Sequence, residues 1–208
     1  MQVNDDFAAG AGLTPTEAAR RAQIIDATIG VIAELGYSRT SFARIIEKAG
    51  LSSTRMISYH FENKNELIMA TLMTLIDHHD RFIDERVEAT SDRAVLLQSF
   101  LRAEISYLAT HPQHGRALAE IAAHAGSEDD SRTFELIVHD LRFGRLERQL
   151  TQGQREGQFA DFDAGIMART IRHALEGLAQ QLVADPGLDS QHYADEITKL
   201  FTRATGAA

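Results

Sequence analysis

Arg55, with Thr54, Met56, Ser58, Tyr59 and His60 around it and Lys64 just beyond, forms the group of side chains best suited to read another molecule. A guanidinium can donate two parallel hydrogen bonds to guanine O6 and N7 in a DNA major groove. Hydroxyl, phenol, imidazole and ammonium groups suit phosphate oxygens, and a thioether suits either a thymine methyl or packing. For this chemistry the residues must share the outer side of a helix. Ile57 and Phe61, four apart, supply an inward side and leave Thr54, Arg55, Ser58, Tyr59 and His60 outward. Upstream, Phe42, Ile45, Ile46 and Ala49 recur at helical spacing and give a second short helix one apolar face. Gly50 between them reaches the left-handed conformation and predicts a tight turn. Thr40 or Ser41 caps the first helix and Ser52 or Ser53 the second. Two such helices across such a turn have the form of a helix-turn-helix, with Ser41 and Arg44 as further candidates for contact with the DNA backbone.

Thr40, Ile45, Ala49 and Gly50, followed by Ile57, Tyr59, His60, Phe61 and Lys64, resemble the N-terminal signature of the TetR family of transcriptional regulators. The preceding segment TEAARRAQIIDATIGVIAELGYSRT is similar to that family's first helix, so the resemblance covers residues 16 to 68. Ile46 stands where the family usually has Ala, and the turn GLSST is one residue longer than the common spacing. The resemblance implies an all-α chain, with an N-terminal three-helix helix-turn-helix domain before a larger helical bundle, about nine helices in all. It also implies a DNA-binding regulator, usually a repressor, that sits on a palindromic double-stranded operator as a homodimer and is released by a small-molecule effector. The positions matching Thr54, Arg55, Met56, Ser58, Tyr59, His60 and Lys64 then lie at the DNA surface.

Composition fits an ordinary folded chain. With 208 residues, 44% of them hydrophobic, it can close a core. It has no Cys, which excludes disulfides and thiolate metal sites and fits a reducing cytoplasm. Residues 1 to 15 form neither a basic signal peptide nor an apolar anchor, and no run approaches the roughly 18 apolar residues of a membrane span. A cytoplasmic protein with no membrane partner is expected. The net charge of -9 is unevenly spread. Residues 16 to 64 hold seven Lys or Arg against five acids, so a mildly basic segment precedes an acidic remainder. Three regions follow: a tail over 1–15, the helix-turn-helix domain over 16–64, and an effector-binding and dimerisation domain over 65–208.

The rest of the pattern is helical. The first helix, about 16 to 35, has Thr14 or Thr16 near its cap and braces the two-helix motif from behind. Asn63 caps a long fourth helix to about 88, expected to join the two domains rigidly. Ser91 or Asp92 opens a fifth, which stops before Pro112 because the residue ahead of a proline is disfavoured in helix. A sixth spans about 113 to 125 and a seventh about 128 to 156, the latter with Phe134, Val138 and Leu141 in one of two apolar rows. Gly157 and Asp161 or Asp163 mark the turn into an eighth helix ending near 184, and Pro186-Gly187 precedes a ninth. Leu175, Leu178, Leu182, Ile197 and Phe201 on these last two helices are candidates for a dimer interface.

Candidates for an effector site are aromatic or ionisable residues on or beside apolar faces: His79, Phe82, Phe100, Glu104, Tyr107, His111, Phe143 and His173. Packing alone also explains each of them. Nine histidines raise a metal reading, in which His78, His79, Asp80, His111, His114 and His124 converge, but no His-x-x-x-His pair is present and no metal or cofactor is expected. There is no Ser-centred Gly elbow, Cys nucleophile, Gly-rich phosphate loop or carboxylate pair, so catalysis is not expected either. A helical ligand-binding dimer without DNA affinity is the main alternative, and a small helical enzyme the other.

Overall fold

A computed structural model describes residues 14–124, 136 and 138–206. Among these the chain is helical throughout, with nine α-helices and no strand. It divides into two compact units, Met1–Leu75 and Ile76–Ala208.

The N-terminal unit contains α1 (Pro15–Leu35), a 3-10 turn (Tyr37–Arg39), α2 (Phe42–Ala49), α3 (Arg55–His60) and the start of α4 (Lys64–Asp84). Thr14 opens α1 through a capping box: its hydroxyl accepts from Glu17 N while the Glu17 carboxylate accepts from Thr14 N at 2.8 Å. Pro15 begins the helix, where the N–H it lacks has no partner to lose. Ile24, Ile32, Ile45, Ile57 and Phe61 are essentially sealed from water, and α1 packs on both α2 and α3. Gly50 ends α2 at φ 64, and Leu51 N donates to Ile46 O to tie off the last turn. Ser41 caps α2, and the amide of Arg55 donates to Ser53 Oγ at the start of α3. Asn63 Oδ1 accepts from Glu66 N and opens α4.

The C-terminal unit holds the rest of α4, then α5 (Arg93–Thr110), α6 (Pro112–His124), a π-helical turn (Asp140–Gly144), α7 (Arg145–Arg155), α8 (Ala164–Ala184) and α9 (Ser190–Ala204). α9 lies along α5, and α8 packs on α5, α6 and α7. The core between them includes Phe100, Leu101, Ile105, Leu150, Ile171, Leu175 and Leu178. Asp92, Asp163 and Asp189 cap α5, α8 and α9. Gly157, at φ 69, turns the chain after α7, and the ring of Phe159 lies against Gly153, where any Cβ would collide with it.

Three expectations change. α4 ends at Asp84 rather than near 88. The seventh helix is interrupted by the π-helical turn, and its expected start at 128 together with Phe134 lies outside the described residues, as do the tail over 1–13 and the side chain of Leu141. Leu175, Leu178, Leu182 and Phe201 are buried within their own chain, so they are core and not available to a partner. Ile197 is half-buried against the same core.

Candidate nucleic-acid interface and ligand cavity

The polar side of α3 is held outward by what lies beneath it. Ile57 and Phe61 are 0% and 1% exposed, and that fixes the rotation of this six-residue helix. Arg55, Thr54, Ser58 and Tyr59 therefore face solvent, while Met56 and His60 are half-buried beside them. Tyr59 is 72% exposed, and its hydroxyl donates to Glu17 Oε1 at 3.0 Å. This bond, with charge repulsion from Glu17, raises the phenol's pKa; Glu17 itself is held below the usual carboxylate range first by Thr14 and then by Tyr59. Burial, followed by the nearby charge of Arg21, lowers the His60 imidazole, so His60 is neutral at pH 7 and offers a directional hydrogen bond more than a charge.

Cations that look equivalent in sequence are not equivalent in space. The Arg21 guanidinium lies 4.0 Å over the Phe61 ring, donates to the His60 carbonyl and pairs with Glu66 at 3.3 Å. Lys48 pairs with Glu34, and Arg39 donates to the Leu35 carbonyl at 2.6 Å. These three stitch the unit together. Arg44 and Arg55 stay exposed, and Lys64 is half-buried with its ammonium 4.8 Å over the Tyr37 ring. Ser41 is exposed, but its hydroxyl is also the α2 cap, which leaves its lone pairs partly committed.

One part of this surface escapes sequence reasoning. Thr16, Glu17 and Arg20 from the first turns of α1 share an open recess of about 370 Å³ with Arg55, Met56, Tyr59 and His60. The start of α1 is thus beside the outward side of α3 rather than behind it. A cation and a hydroxyl at the beginning of a helix that packs on α3 were the available signal.

In the C-terminal unit, His79, Phe100 and Glu104 do come together, around a cavity of about 160 Å³ whose remaining wall includes Arg142, Arg145, Arg148 and Arg172. Glu104 is 1% exposed, accepts from Arg172 Nη2 at 3.2 Å, and lies 3.1 Å from His79 Nε2. Burial favours its neutral form, but Arg172 and His79 overcome this and hold it below the usual carboxylate range. Burial likewise opposes charge on His79, and the Glu104 carboxylate outweighs it, raising the imidazole to about 9.

The other expected lining residues are elsewhere. Phe82, Tyr107 and His111 join His78 and His114 in a ring cluster, with His78 centred 4.7 Å from His111 and 5.0 Å from His114. Tyr107 stacks on His111 and its hydroxyl meets His114 Nδ1 at 3.0 Å. Burial, then its imidazole neighbours, lowers His114 to about 4. Although these rings gather, no three His, Asp or Glu among the described residues are arranged to hold a metal ion. Phe143 is buried beneath the Arg142 guanidinium, and His173 is largely exposed beside Glu176, so neither lines the cavity. No described helix is long and apolar enough to cross a membrane.

Comparison with known proteins agrees with this geometry. Residues 24–71 match the family described as bacterial regulatory proteins, tetR family. The HTH-type transcriptional regulator BetI of Serratia proteamaculans is 39% identical over 75 residues, which are 36% of this chain and 37% of that protein. The chain therefore aligns at this identity with little more than a third of that curated relative. The BetI of Cronobacter sakazakii is 25% identical over 197 residues, covering 88% of this chain and 87% of that one. A crystal structure of a tetR-family bacterial regulatory protein from Rhodococcus RHA1 superimposes with a TM-score of 0.76 at 21% identity, over 91% of this chain and 98% of that one, and so shares the fold. With the helix-turn-helix seated on α1, residues 24–71 carry the N-terminal domain of the tetR family of bacterial regulatory proteins, and the helical body that follows shares the fold of a solved tetR-family protein.

Proposed function

We propose that the chain is a DNA-binding transcriptional regulator, a repressor that occupies a palindromic double-stranded operator as a homodimer and is released by a small-molecule effector. The observation that carries this reading is Arg55: a solvent-facing guanidinium at the first position of a helix whose opposite side, Ile57, is sealed in the core. Residues 16–64 act as the DNA-binding domain and 65–208 as the effector-binding and dimerisation domain. Thr54, Arg55, Met56 and Ser58 face bases, with Arg55 on guanine. Tyr59, His60, Lys64, Ser41 and Arg44 hold phosphates, joined by Thr16 and Arg20 from the α1 start.

One short recognition helix gains little affinity alone, and two-fold pairing doubles the site. The apolar side chains that α8 and α9 leave exposed, Ile166, Val183 and Leu200, are the material for that pairing. The BetI relatives are themselves transcriptional regulators by name, and a cytoplasmic regulator rather than an enzyme is the corresponding reading here. Fluorescence anisotropy on the DNA upstream of its own reading frame tests it. Arg55→Ala should weaken specific binding by about tenfold to a hundredfold while leaving the helical circular dichroism intact. Binding unchanged by this substitution removes the site assignment, and no salt-sensitive binding by the parent chain removes the function.

A further inference from the structure

The C-terminal unit is acidic in sequence, yet its cavity wall is cationic. Arg142 comes from the π-helical turn, Arg145 and Arg148 from α7 and Arg172 from α8; with protonated His79 they bring five positive groups to a wall whose own carboxylates are Asp80, Glu104 and Asp140, while Glu176 and Asp84 pair with Arg142 and Arg145 from outside it. Glu104 is consumed by Arg172 and His79, so its charge is cancelled where it stands. Of the outer arginines, Arg148 is held most loosely. Arg148 meets Asp140 through Nη1 at 2.8 Å, and both side chains are about two-thirds exposed, a setting in which an ion pair is weak. Arg142 uses Nε and Nη2 on one oxygen of Glu176. A guanidinium carries five N–H donors, so each retains donors for a second acceptor. Phe100 and Leu146 give the same cavity an apolar floor. The π-helical turn that carries Arg142 is a feature often retained at binding sites because it re-aims side chains out of helical register.

We propose that this cavity is an effector site for a small molecule bearing a carboxylate or phosphate group, which replaces Asp140 on Arg148 and shares Arg142 with Glu176. The inference rests on the effector-responsive reading above and narrows its ligand to oxyanions. Paired planar donors recognise such a group better than point charges do, and the apolar floor accepts a short hydrocarbon or ring.

The test uses the full chain, with sodium benzoate, sodium phosphate and choline chloride each at about 10 mM and ionic strength matched with sodium chloride; a site filled well above its dissociation constant raises Tm by about 3 °C or more. Benzoate or phosphate should raise Tm in the parent chain and at least half of that shift should be lost in Arg142→Gln/Arg148→Gln. Arg148→Gln alone, at an exposed position, keeps the test decisive if the double variant does not fold. No shift with either anion, a shift with choline only, or an anion shift retained in the variants overturns the proposal. Anisotropy on promoter DNA is recorded alongside. DNA binding without an anion shift fails this site alone, whereas an anion shift without DNA binding fails the regulator reading and leaves the site standing.

Discussion

The two units begin their helices with different chemistry. In the N-terminal unit the capping groups are neutral, the hydroxyls of Thr14 and Ser41 and the amide of Asn63. In the C-terminal unit they are carboxylates, Asp92, Asp163 and Asp189. Either kind satisfies the open N–H groups of a helix start, and a carboxylate gains extra from the helix dipole. In the N-terminal unit α1 and α4 recover that gain from an acid inside the first turn, Glu17 and Glu66, whereas α2 and α3 start without one. The two helices of the helix-turn-helix are thus the ones whose N-terminal ends are left free of negative charge.

Substitutions can break or sharpen this contrast, and the largest effect belongs to the body. Glu104→Ala leaves Arg172 without a carboxylate in a buried site and His79 with Asp80 alone, and should cost about 3–5 kcal/mol, read as a lower denaturant midpoint. Leu178→Ala, at a fully buried core position, should cost about 2–5 kcal/mol with the parent chain's sedimenting mass unchanged; a smaller mass without loss of stability would restore this leucine to an interface.

The pH response should differ between the units as well. His79 is raised to about 9, so its contribution is complete below 6.5 and is lost as the pH climbs through 9. Glu104 is lowered from 4.5, and its contribution is present above that value and disappears as the pH falls below it. His114 is lowered to about 4, so the body also loses stability between pH 6.5 and 4, as that imidazole must charge. In the N-terminal unit His60 is lowered too, which gives an acid limb, while the raised Tyr59 phenol places its alkaline limb above pH 10, beyond that of His79. Tm scans should therefore show a decline above pH 6.5 that Glu104→Gln flattens. An alkaline limb unaffected by Glu104→Gln breaks the argument.

Smaller effects probe the caps and phosphate contacts. Asp92→Ala should cost about 1 kcal/mol, because two amides, of Ala94 and Val95, lose their acceptor. Lys64→Ala should leave stability nearly unchanged and reduce the salt dependence of DNA binding by about one phosphate's worth.

Much of this was legible in the sequence wherever the deciding contact is local. Gly50, Asn63, Pro112 and Asp163 mark their boundaries because caps and stops involve residues within a few positions. The direction of Arg55 was legible for the same reason, since Ile57 and Phe61 orient a single short helix. Arg21 was not distinguishable from Arg55, because what occupies it, the His60 carbonyl and Glu66, lies 39 and 45 positions away. The arginine-rich cavity was hidden likewise: Arg172 meets Glu104 across 68 positions, and an isolated arginine on a helix reads as surface. The leucines of α8 failed for another reason, since an apolar row has the same spacing whether it faces its own chain or another.

Thr28 sits at 0% exposure in α1, and its hydroxyl donates at 2.8 Å to the Ile24 carbonyl one turn back. That side chain asks nothing of a neighbouring helix, so the polar links between α1 and α2 sit at the rim instead, where Gln23 donates to the Ala49 carbonyl at 2.8 Å and Lys48 pairs with Glu34. Fastened at its edge and apolar within, the pair moves as one piece, and whatever displaces α1 carries α2 with it.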